Sequence, residues 1–138
     1  MFKPLAPFTI SSGNVPIKVE SVLTEIKQWS NAESYLLIKA NLANGDLAYV
    51  EIFYTELDET AVIDVSNNFR GDFGYQINNS GEWYEASENY AGSSGEIIIT
   101  KNNLISRTIE GTFSGLAVNI NNSSDTKKAM HGSFAVAY

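Results

Sequence analysis

Every apolar run in this chain is short, and most alternate with polar residues at a period of two. Clusters of Asn, Gly, Ser and Asp separate the runs. No long segment keeps helical periodicity with caps at its ends. A period of two sends alternate side chains to opposite faces of a strand, so the chain buries its apolar face as sheet.

The runs can be read in order. Val15, Ile17 and Val19 alternate, with Pro16 near the start, and the run continues toward Leu23 and Ile26. Its tail, from Ser21 to Trp29, reads alternatively as a short helix, with Trp29 capping the end of the sheet. Tyr35 to Ala43 and Leu47 to Thr55 are strands joined through Asn44-Gly45, the pair that best tolerates positive φ in a tight hairpin. In the second strand Tyr49, Glu51, Phe53 and Thr55 share one face, and Val50, Ile52 and Tyr54 the other. With apolar groups on both faces, this hairpin belongs in the middle of a sheet. Ala61 to Val65 is a short strand or turn segment. Asn67 to Gly74 reads as a polar loop, in which Arg70-Gly71-Asp72 turns the chain before Phe73 with Gly71 at positive φ. Phe73 to Ile77 and Glu82 to Ala86 form a second hairpin. Glu96 to Lys101, Arg107 to Asn119 and Met130 to Tyr138 complete eight or nine strands. The expected fold is an all-β antiparallel β-sandwich, with a closed or partly open lipocalin-like barrel as the alternative. No linker divides the 138 residues, so 1–138 is expected to be a single domain, with 1–8 as the remnant of a flexible leader.

Composition excludes several functions. Nine Lys and Arg stand against sixteen Asp and Glu, a formal net charge of −7, which leaves too few cations for a nucleic-acid-binding face. There is no Cys and one His, so thiol chemistry, disulfides and Cys- or His-rich metal sites are excluded. No apolar run is long enough to cross a bilayer as a helix.

The C-terminal third carries a distinctive order. Gly95-Glu96-Ile97-Ile98-Ile99-Thr100-Lys101 precedes Ile109-Glu110-Gly111-Thr112-Phe113-Ser114-Gly115, and His131-Gly132-Ser133-Phe134-Ala135-Val136 follows a polar loop. This order resembles that of a family of small exported Bacteroidetes lipoproteins, whose domain has no assigned function. The resemblance implies an exported β domain of the periplasm or outer-membrane surface. It also implies a lipid anchor on the full-length precursor, although the lipobox Cys is missing here. It supplies no catalytic residues.

Candidate chemistry is sparse. His131 is the one available base for nucleophilic hydrolysis, and its strand phase, opposite to Met130 and Phe134, puts it on the solvent face. Among Glu82, Glu85, Glu88 and Asp64, two would have to converge for glycoside hydrolysis, yet Glu82 and Glu85 lie on opposite faces of one strand. Asp58, Glu59, Asp64 and Asp72 are oxygen ligands for a loop-built calcium site, without the spacing of an EF-hand. Trp83, Tyr84, Tyr90 and Tyr75 stand close in sequence to Asn and Glu, a mixture suited to stacking on a sugar or a protein surface. The expectation is therefore a non-catalytic, cofactor-free exported binding domain that contacts a cell-envelope protein or a glycan through loops and an aromatic face. The alternatives are a small glycan-active enzyme using paired carboxylates, or a lipocalin-like carrier of an apolar ligand.

Overall fold

The computed structural model describes residues 6–28, 30, 33–53, 60–66, 70–121 and 127–138. Among them there is no helix. The strands are β1 (Phe8–Ser12), β2 (Val15–Ile17), β3 (Val19–Gln28), β4 (Ser34–Leu42), β5 (Leu47–Phe53), β6 (Ala61–Asp64), β7 (Gly71–Gln76), β8 (Trp83–Ala86), β9 (Ser94–Asn103), β10 (Thr108–Asn119) and β11 (Lys127–Ala137).

All pair antiparallel in one sheet, in the order β2-β1-β11-β10-β8-β7-β5-β4-β3. The long strand β10 takes two partners on one side. Thr108 to Leu116 pair with β9, and Val118 and Asn119 pair with β8. β6 extends the sheet beyond β9. The sheet curls until Thr24 Oγ1 on β3 donates to the Ala137 carbonyl on β11 at 2.8 Å. The result is an all-β antiparallel sheet nearly closed into a barrel, the second of the two architectures that alternation allows.

The inward faces supply the core. Leu36, Ile38, Val50, Ile52, Phe73, Ile97, Ile99, Ile109 and Phe113 are all almost fully buried. The Phe113 ring centroid lies 5.3 Å from Phe73 and 5.6 Å from Phe8, so aromatic rings from opposite walls meet in the middle. Glycine admits them. Phe113 pairs with Gly132 and Gly111 with Phe134 across β10 and β11, and each ring covers its opposed glycine. A Cβ on Gly132 would meet Phe113 Cζ at 2.7 Å.

Three local expectations change. The run from Val15 breaks at Lys18, because Pro16 has no N–H to donate and so ends up in a short strand at the sheet edge. The helix alternative is overturned over Ser21 to Gln28 by pairing of β3 with β4 from Val19 and Leu42 to Gln28 and Ser34, and Trp29 lies outside the described residues. Gly71 is not a positive-φ turn residue but the first residue of β7, opposite Ile52. Its missing Cβ matters for packing, since that atom would sit 3.0 Å from the Glu51 carbonyl oxygen. The Asn44-Gly45 hairpin is as expected, with Gly45 at φ 90° and Asn44 Oδ1 accepting the Asp46 N–H at 2.9 Å.

Candidate functional site

Pleating sends every second residue of β5, β7 and β8 outward. On β5 these are Tyr49, Glu51 and Phe53, on β7 Asp72 and Gly74, and on β8 Trp83 and Glu85. Register then gathers the acids. Glu51 stands directly opposite Asp72, and Gly74 lies between Tyr49 on one side and Glu85 on the other. Glu51, Asp72 and Glu85 each bring a carboxylate oxygen within 4.8 Å of the other two. At 4.8 Å each pair of full charges repels by on the order of 3 kcal/mol for an effective dielectric of about 20.

A layer of polar and aromatic groups covers the trio. The Tyr49 hydroxyl donates to Glu85 Oε1, and the Trp83 indole N–H donates to the Tyr49 oxygen at 2.7 Å. The two rings meet edge to face at 6.1 Å. Ser87 Oγ donates to the other Glu85 oxygen at 3.3 Å. The segment from Ser87 to Ser93 folds back on itself, with Ser93 Oγ donating to the Ser87 and Tyr90 carbonyls, both at 2.8 Å. Glu51 stands beside both Tyr35 and Asp72, and burial and then its negative charge raise each of them. One oxygen, Asp72 Oδ1, is shut from solvent and has no hydrogen-bond partner.

The electrostatics follow from this enclosure. Burial, then the charge of Glu51, hold the Asp72 carboxyl well above the ordinary carboxylate range. Burial also raises Glu85, against the lowering effect of the Tyr49 hydrogen bond. Tyr49 is pushed well up by burial and then by the Glu85 charge. Tyr90 is raised by burial, then by Glu85 and Asp72, which places its hydroxyl in the field of the trio.

Beside this cluster a shallow groove of about 260 Å³ runs over the outward face. Lys27, Tyr35, Lys39, Glu51, Gln76 and Trp83 contribute to its walls. It combines half-exposed aromatic rings with both signs of charge and an amide.

The sequence-derived candidates divide. Trp83 faces outward at 36% exposure and Tyr90 is half-buried near the acids. Tyr75 and Tyr84 point inward instead, 2% and 6% exposed, with the Lys128 ammonium 4.8 and 5.5 Å from their ring centroids. The strand phase that puts Trp83 outside puts Tyr84 inside, so these two are wall residues of the core and not part of the outer face. Of the calcium candidates, Asp72 joins the trio. Asp64 is exposed and takes the Ser66 hydroxyl and N–H at 2.6 and 3.0 Å, which lower its carboxyl. Asp58 and Glu59 lie outside the described residues. Glu85 converges with Glu51 and Asp72. Glu82 instead accepts the Tyr84 hydroxyl at 2.9 Å, and Glu88 is exposed. His131 is exposed, with Nε2 3.0 Å from the Gly13 carbonyl. Glu51 is the residue that sequence reasoning missed. The signal was its alternation with Tyr49, which put both on one face without saying what faced them.

No family model, curated protein or solved structure matches the chain.

Gly74 is what lets the Tyr49 phenol lie across the sheet. A Cβ there would collide with the Tyr49 hydroxyl and stand 2.6 Å from the Tyr84 carbonyl oxygen. Gly74→Ala is expected to destabilise the domain by roughly 1–3 kcal/mol through overpacking. It should also release the Trp83 indole, seen as a red shift of tryptophan emission in a Trp29→Phe background. Unchanged emission and an unchanged midpoint would show that Tyr49 does not depend on this gap.

Proposed function

We propose that this protein is a non-catalytic, exported binding domain of the cell envelope, and that its ligand is a glycan held on the outward face of β4, β5, β7 and β8. The observation that carries this reading is the Trp83 indole. It is partly exposed at the groove and fixed by its N–H bond to Tyr49, with Tyr35 beside it. Sugars present C–H faces that stack on such rings, and Lys39, Glu51 and Gln76 offer donors and acceptors for the hydroxyls. Fixing the ring before binding reduces the ordering cost of a contact. Export rests on the resemblance to the lipoprotein family.

The test is a panel of envelope and plant-wall oligosaccharides measured by calorimetry, with Trp83→Ala as the control. Binding should weaken at least tenfold in the variant, ~1.4 kcal/mol, as for a tryptophan at the centre of an interface. Full retention of binding by Trp83→Ala would remove the groove from consideration. Capture of a single envelope protein, with no glycan bound, would replace the ligand class.

A further inference from the structure

Three acidic side chains from three strands converge under a cover, and their arrangement is not exhausted by contacts within the protein. The two oxygens of Glu85 are taken by Tyr49 and Ser87. Asp72 Oδ1 is not taken by anything, although it is closed off from water. A buried, partnerless carboxylate oxygen is rare, because losing hydration without a replacement is costly. Every influence on Asp72 opposes its charged form. Two agents can relieve such a cluster, a proton or a cation. A proton can neutralise one acid of the three, whereas a cation can take an oxygen from each of them.

We propose that Glu51, Asp72 and Glu85 bind one hard divalent cation, of which calcium is the best match, through one carboxylate oxygen from each. Hard cations take carboxylate oxygens, and calcium accepts irregular sets of six to eight ligands. The oxygens already stand within 4.8 Å of one another, so a single ion can touch all three. No nitrogen or sulfur ligand takes part, which disfavours zinc and copper. The ion would tie β5, β7 and β8 together beneath Trp83. This proposal does not depend on the glycan reading. It differs from the loop-built site expected from sequence in taking its ligands from strand faces.

The experiment uses the full chain freed of metal with a chelator that is then removed. Thermal midpoints are read in calcium, magnesium and manganese at matched ionic strength. At a hundredfold excess over its dissociation constant, calcium should raise the midpoint by on the order of 8 °C. Asp72→Asn, which keeps the shape and removes the charge, should abolish the rise while folding normally. A second readout uses terbium, which takes calcium sites and emits when excited through a nearby aromatic ring. Its emission should grow on excitation of Trp83, fall on calcium addition, and be absent in Asp72→Asn. A larger rise with magnesium or manganese would keep the site and change the ion. No rise with any of the three, or an equal rise in wild type and Asp72→Asn, would overturn the proposal and leave the trio as a proton-sharing cluster.

Discussion

Phe113→Ala is expected to destabilise the protein by roughly 3–5 kcal/mol, the usual range for truncating a buried Phe. For a chain of this length that corresponds to a drop of roughly 10–20 °C in the thermal midpoint. The ring is 2% exposed and lies between Phe8 and Phe73, which come from different walls of the barrel. It also covers Gly132, so alanine would remove the ring that packs on the β11 backbone there. Two losses therefore combine, that of apolar transfer and that of contacts around a cavity that glycine cannot fill. The site cannot collapse easily, since rigid paired strands hold its walls. An unfolding midpoint within a degree of wild type would contradict the inward phase of β10.

The same strand shows what sequence can convey. Ile109, Gly111 and Phe113 alternate with Thr108, Glu110 and Thr112, and the structure buries the first set. Asn44-Gly45 marked its hairpin because glycine accepts the φ of 90° at Gly45 and the Asn44 side chain takes the Asp46 N–H, and the opposition of Trp83 to Tyr84 followed from period alone. The choice between sandwich and barrel did not, because alternation describes one strand at a time. Closure depends on which strands meet, and here it rests on β10 dividing its edge between β9 and β8 and on β3 reaching β11.

The acidic trio was hidden for the same reason. Glu51, Asp72 and Glu85 come from three runs, and only register makes them neighbours. Arg70-Gly71-Asp72 has the composition of a turn, which makes Asp72 a loop carboxylate by sequence alone. Tertiary packing overrode that local preference, because Gly71 fits against the β5 backbone where a larger residue would not. Once Gly71 is a strand residue, Asp72 must face outward beside Glu51.

In metal-free buffer, the stability of the wild-type protein is expected to increase as pH falls from 8 to 5, and Asp72→Asn is expected to remove much of that increase. The Asp72 carboxyl is held well above its ordinary value of 3.8, first by burial, then by Glu51. The folded state therefore binds a proton that the unfolded chain has already released at the same pH. Between the ordinary and the raised value, stability falls as pH rises. Asp72 thus contributes fully below the ordinary carboxylate range, and its contribution is lost as pH climbs through the raised value. Glu85 acts in the same direction, and Asp64, which is lowered, acts in the opposite one. Tyr35, Tyr49 and Tyr90 surround the trio but are raised above an already alkaline range, so they stay neutral here. A net charge of −7 gives any acidification a general stabilising effect through reduced self-repulsion. For that reason the decisive quantity is the difference between the two proteins. Asp72→Asn should be the more stable at pH 8 and lose its advantage at pH 5, with midpoints followed by circular dichroism in denaturant. Parallel pH profiles would mean that the Asp72 carboxyl does not titrate differently in the folded and unfolded protein over this range, and would overturn the expectation. Saturating calcium should flatten the wild-type profile, because a bound ion favours the charged carboxylates that a proton would otherwise neutralise.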